Sequence, residues 1–253
     1  MKKISLISLI SIGLISLMFA GCKHDGFTIS GTLEGGAGKT LWLEELTPEG
    51  TLFIDSIPMD SKGRFKFSYK MPYRSLYNLH TSDNNYVVLL PDNGEKIKVS
   101  GDYQNLSLTY TVSGSPESIL LWQLQQFTND GGKVLNELVD TTLYYQHLLD
   151  EGKIDIEVVY DKKDETDSIY RITFLEQQDY VCRFIEENRG SLSTLIALYK
   201  PFNNRLLIDT RDPNSIEWYD IVLEGLEESM PDNPHTIHFK NTVEHQRSAL
   251  TRQ

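Results

Sequence analysis

From residue 27 to about residue 113, apolar and polar side chains alternate with a period of two. Phe27-Thr28-Ile29-Ser30, Thr40-Leu41-Trp42-Leu43-Glu44, Arg64-Phe65-Lys66-Phe67-Ser68-Tyr69 and Lys96-Ile97-Lys98-Val99-Ser100 each present one face to a core. Tyr86-Val87-Val88-Leu89-Leu90 is a continuous apolar run closed by Pro91. Turn residues separate the runs: Gly35-Gly36-Ala37-Gly38, Pro48-Glu49-Gly50, Ser61-Lys62-Gly63 and Asp92-Asn93-Gly94. Short alternating runs with turns at this spacing predict about eight strands in an antiparallel β-sandwich.

At Ser115-Pro116 the period changes to that of a helix. Ser115 has the chemistry of an N-cap and Pro116 that of a first helical residue. Leu120, Leu124 and Phe127 recur at helical spacing until Gly131-Gly132, which predicts a stop. Leu135, Leu138, Tyr145 and Leu149 mark a second helix ending near Gly152. Tyr170, Phe174, Val181, Phe184 and Ile185 mark a third, running to Gly190. Ser191 begins a fourth, Asp212-Pro213 a fifth and Pro234 a sixth. The expected class is α+β, an antiparallel β-sandwich followed by an all-helical segment of about five or six helices. Strands and helices are segregated along the chain, not alternating.

The first residues follow a different logic. Lys2-Lys3 is basic, 4–20 carries no charge, and Phe19-Ala20-Gly21-Cys22 ends in small residues before a cysteine. Basic, then apolar, then small is the order of a secretory signal. The closing residues resemble a bacterial lipobox, with Phe19 where leucine is usual. That resemblance implies lipidation of Cys22, which becomes the first mature residue. Lys23 follows it, with no aspartate for inner-membrane retention. The expected product is an outer-membrane lipoprotein, facing the periplasm or the cell surface, with the membrane as partner through its lipid. The expected organisation is therefore a signal peptide at 1–21, a β-sandwich domain at 22–114 and a helical region at 115–253.

Charge narrows the partners. The 253 residues hold 24 Lys+Arg against 36 Asp+Glu, a net charge of -12. Loss of Lys2 and Lys3 with the leader takes that to -14. Such a field repels nucleic-acid phosphate and anionic lipid, so no nucleic acid is expected and acyl chains must hold the protein at its membrane.

The whole mature pattern resembles the domain of unknown function and following helices of thioredoxin-like lipoproteins from Gram-negative bacteria. It rests on Phe27-Thr28-Ile29-Ser30-Gly31, Gly63-Arg64-Phe65-Lys66-Phe67, Leu89-Leu90-Pro91-Asp92-Asn93-Gly94-Glu95-Lys96-Ile97 and Val112-Ser113-Gly114-Ser115. In the helices it rests on Phe184-Ile185-Glu186-Glu187-Asn188, on 191–199 and on Met230-Pro231. In that family a thioredoxin-like domain with a Cys-x-x-Cys pair follows. No Cys-x-x-Cys occurs in these 253 residues, and exchange through a dithiol needs both thiols. The resemblance therefore implies fold and compartment, and carries no catalytic residue over.

No catalytic residue, cofactor site or metal site is expected. Cys182, flanked by Val181 and Phe184-Ile185, reads as a packing residue. Gly35-Gly36-Ala37-Gly38-Lys39-Thr40 resembles a phosphate loop, but Leu33 stands where its first glycine belongs, so it reads as a hairpin turn. His235, His238 and His245 share one face of the last helix and read as a solvated, pH-sensitive surface. Asp161, Asp164, Glu165 and Asp167 read as a solvated loop or helix start. Tyr73, Tyr77, Tyr103 and Tyr110 are candidates for a tyrosine-lined peptide or sugar site. The expected function is a non-catalytic binding or interaction module of the envelope. The alternatives are docking of a separately encoded thioredoxin-like protein, or glycan or peptide capture.

Overall fold

The computed structural model describes residues 26–209 and 212–250. Residues 1–21, expected to be a signal peptide, and Cys22 lie outside the described residues. Eight strands form two four-stranded sheets. The first sheet has the order β4 (Arg64–Tyr69), β1 (Phe27–Glu34), β7 (Lys96–Asp102), β8 (Thr111–Ser113). The second has the order β3 (Gly50–Pro58), β2 (Thr40–Thr47), β5 (Leu76–Ser82), β6 (Asn85–Leu89). The alternation does what it predicts. Ile29, Leu33, Phe65, Phe67, Ile97 and Val99 of the first sheet share one buried cluster with Leu41, Leu43, Tyr77, Leu79, Val87 and Leu89 of the second.

Two expectations are corrected here. The sheets are not wholly antiparallel, because β1 and β7 run parallel from Thr28↔Lys96 to Glu34↔Asp102. Parallel neighbours need a long crossover, and here the other strands between them in sequence supply it. Gly31 lies at this junction, where a Cβ would fall 1.7 Å from the Val99 carbonyl oxygen. The Gly35–Lys39 segment is also not a hairpin turn. It carries the chain from the first sheet to the second, since β1 and β2 belong to different sheets. The Ser61-Lys62-Gly63 turn is built by Asp60, whose Oδ1 accepts from the Lys62 and Arg64 amides at 2.8 and 3.0 Å. Gly63 supplies the positive φ of 71° that the turn requires.

A four-residue helix, α1 (Leu106–Thr109), precedes β8. Then come α2 (Pro116–Asp150), α3 (Ile156–Glu187), α4 (Ser193–Leu198), α5 (Ile216–Ser229) and α6 (Pro234–Leu250). Ser115 caps α2 as predicted, accepting from the Ser118 amide at 3.3 Å, with Pro116 in the first turn. Gly131-Gly132 does not stop this helix. The two helices expected on either side of it are one helix of 35 residues. Gly131 is where α3 crosses: a Cβ there would meet the Gln177 amide at 2.6 Å and the Phe202 ring at 2.9 Å. Gly131 permits this close packing, and the neighbouring helix replaces the local stability that glycine forfeits. The 161–167 acidic segment likewise lies within α3, not at a loop or helix start. The region is also not all-helical, because β9 (Pro201–Phe202) and β10 (Arg205–Leu206) form a small hairpin.

The helices and the second sheet share a second core. Leu76 and Leu90 join Leu121, Leu124, Val181, Ile185, Leu198, Tyr219, Leu226 and Phe239 in it. The joint is stitched with polar contacts. Ser118 Oγ accepts from the Leu90 amide at 3.0 Å, and Ser115 Oγ donates to the Leu90 carbonyl at 3.3 Å. The Trp122 indole donates to the Tyr110 carbonyl at 2.8 Å. The end of β6 and the start of α2 are therefore fixed to each other, and the space beside them has firm walls.

Candidate functional site

That space is a cleft of about 500 Å3 between the second sheet and the helical layer, within the size range of small-molecule sites. Strands β2, β5 and β6 contribute Leu46, Leu76 and Val88. Helix α2 contributes Leu121, Leu124 and Gln125, and α4 with its exit contributes Leu195, Ile196, Tyr199 and Lys200. Asn78, Tyr86, Tyr110 and His235 also line it, with Thr47, Val87 and Pro201. Most of this surface is apolar, with a few polar groups set into it.

Lys200 is the cation of the cleft. It follows α4, and its backbone is held on both sides: its amide donates to the Ala197 carbonyl at 3.1 Å and its carbonyl accepts from the Leu207 amide at 3.0 Å. Its Nζ donates to Gln125 Oε1 at 2.7 Å. It forms no ion pair among the described residues. Burial without a carboxylate pushes the amine down to about 8, because an apolar surrounding disfavours the charged form. Asn78 Oδ1 is buried in the same lining with no hydrogen-bond partner. A buried acceptor left open in this way is costly unless something fills it.

His235 borders the cleft from the start of α6. Its Nε2 lies 2.9 Å from Ser75 Oγ, and its amide donates to Asn233 Oδ1 at 2.9 Å. Asn233 in turn donates to the Arg74 carbonyl at 2.7 Å. Arg74 pairs with Glu117 at 3.2 Å, and Ser191 hydrogen-bonds the same carboxylate. Burial pushes the His235 imidazole down to about 4.

The expected histidine face does not form as one surface. His235 is buried, whereas His238 and His245 are exposed. The described residues contain no group of three or more side chains placed to hold a metal. The four tyrosines also separate. Tyr77 is wholly buried between the sheets, and Tyr103 donates to the Thr40 carbonyl at 3.1 Å. Burial and the nearby Glu45 carboxylate push the half-buried Tyr73 phenol up to about 12. Only Tyr110 reaches the cleft. Cys182 is half-buried against the helical core. Burial first, then Asp179 and Glu186, push its thiol up to about 11. In the acidic segment, Lys162 pairs with Glu165 at 2.6 Å and Lys163 with Asp167 on the outer surface of α3.

A second recess, of about 680 Å3, lies along the α2–α3 hairpin. It is lined by Leu135, Leu138, Thr166 and Tyr170, and by Leu108, Val139 and Leu143, the last three strongly exposed. Exposed apolar groups gathered in this way mark contact surfaces. No described helix is long and apolar enough to cross a membrane.

Fold and cleft together define a two-part α+β protein with a recess at the seam. Residues 27–121 match the family model described as a domain of unknown function, DUF4369. No curated protein and no solved structure matches the chain. The matched span covers both sheets and the first turns of α2, hence the strand wall of the cleft. Lys200, His235 and Gln125 lie outside it.

Proposed function

We propose that this chain is a lipid-anchored envelope protein whose mature body is a binding module rather than a catalyst. Its body has a β-sandwich next to the anchor and a helical layer beyond. The observation that carries the reading is the cleft at the seam, with apolar walls, a lysine lacking an acidic partner, and an amide oxygen lacking a donor. A preformed apolar recess with a few fixed polar groups is the usual form of a small-ligand site. A thermal-shift screen of amphipathic small molecules tests it. Hits that vanish in Leu195→Arg support the reading, and a screen without hits contradicts it. Labelled palmitate incorporation tests the anchor, with loss of label expected in Cys22→Ala. Equal labelling of both proteins would contradict it.

A second reading is favoured by the exposed Leu108, Val139 and Leu143 around the larger recess. Here the α2–α3 hairpin docks a separately encoded thioredoxin-like protein, the kind of domain that follows within the chain in the family it resembles. Co-purification with a thiol oxidoreductase, lost in Leu143→Glu, is the expected result. Recovery of the same partner with that variant would contradict it.

A further inference from the structure

Lys200 poses a physical problem that its surroundings leave open. An ammonium has three donors, and Gln125 Oε1 takes one of them. An unpaired charge in apolar surroundings is unfavourable until a counter-charge or further acceptors reach it. The described residues supply one neutral acceptor and no carboxylate. Lys200 is half-buried in a cleft whose lining is mostly Leu, Ile, Val and Tyr side chains, with Thr47, Asn78, Gln125 and His235 as its other hydrogen-bonding groups. The chemistry that completes such a site has one negative charge, two acceptor oxygens and an aliphatic body. A phosphate dianion fits poorly, since one cation would leave net charge in an apolar recess. The chain as a whole carries -12, so long-range attraction does not bring an anion here, and recognition must be local.

We propose that the cleft beside Lys200 is a site for an apolar carboxylate, its head group on the lysine ammonium and its aliphatic part against Val88, Leu195 and Ile196. This rests on reading the cleft as a ligand site. The carboxylate oxygens fill the donors that Gln125 leaves free. Asn78 Oδ1 accepts from any N–H or O–H next to the head group, which distinguishes two sources of the same chemistry. A free fatty acid has no such donor, whereas the carboxyl end of an apolar peptide has an amide N–H.

Titration calorimetry at pH 7 on the full chain tests this with octanoate, N-acetyl-leucine, octanol and octylamine. Both carboxylates are expected to bind more tightly than octanol by about 10- to 100-fold, the range for a lost charged hydrogen bond, and octylamine least well. Lys200→Met reduces octanoate to the level of octanol, while Lys200→Arg keeps most of the affinity. Asn78→Ala weakens N-acetyl-leucine and leaves octanoate unchanged. Whichever carboxylate binds more tightly names the source. If octanol equals octanoate, or Lys200→Met binds octanoate as the parent does, the carboxylate assignment falls and the binding cleft stands. If no probe binds at all, the cleft reading itself falls. Thermal unfolding of each variant confirms that it is folded.

Discussion

Ser75 Oγ and His235 Nε2 meet at 2.9 Å across 160 positions of sequence, and this contact joins the strand half of the chain to its last helix. Both residues are buried. The imidazole is held neutral, with its pKa lowered from 6.5 to about 4 by burial. A group of this kind binds its proton more readily in the unfolded chain. Its contribution to stability is therefore complete above pH 6.5 and is lost as pH falls from 6.5 towards 4. Stability measured by urea unfolding should decline across that window, and His235→Gln should flatten this part of the profile. An unchanged slope would show that another group is responsible.

Lys200 has a dependence of the same sign, in a more alkaline window. Its pKa is lowered from 10.5 to about 8, so its charged form opposes folding at neutral pH, and stability attributable to it rises between pH 8 and 10.5. Lys200→Met should raise the melting temperature at pH 7, by about 2–4 °C for each kcal/mol recovered in a chain of this size. The gain should shrink at pH 10. Tyr110 and Tyr199, which face the same cleft, are pushed up by burial, and His235 is pushed down. Lys200 is thus the lining group with a displaced pKa that changes charge near pH 8. Carboxylate affinity should fall above that pH.

The two glycines of α2 should respond in opposite ways. Gly131→Ala places a methyl group against the buried Gln177, which also donates to the Phe127 carbonyl at 3.1 Å. A loss of about 1–3 kcal/mol is expected from overpacking. Gly132 has open space around its Cβ position, so Gly132→Ala should stabilise by up to about 1 kcal/mol through helix propensity. Denaturant unfolding of the two variants checks the contrast.

Cys182 should be a slow nucleophile. Its thiol is half-buried and raised to about 11, so little thiolate is present at pH 7.5. Iodoacetamide should modify it far more slowly in the folded chain than in urea. Equal rates would contradict the packing role.

The strands were legible because alternation is local and each run shows its inward face directly. Glu45 is the exception among them: it lies in phase with Leu41 and Leu43 and is buried beside tyrosines, with Oε1 unpartnered. The parallel β1–β7 pair was not legible, since partner choice depends on contacts distant in sequence. The Gly131-Gly132 stop failed for a related reason, because a tertiary crossing outweighs local propensity. The cleft left almost no local signature. Gln125 and Lys200 are 75 positions apart, and neither belongs to a motif. An isolated lysine just before Pro201 and after the apolar α4 was the one available hint, and burial alone gives it meaning.

The most direct test of the binding cleft is a methyl-detected NMR titration of the full chain labelled at Ile, Leu and Val, with octanoate as the probe. Saturable shifts are expected for Leu46, Val88, Leu121, Leu195 and Ile196, with Ile29 and Ile97 between the sheets unmoved. Shifts confined to Val139 and Leu143 on the α2–α3 hairpin, or no shifts at all, would contradict the account.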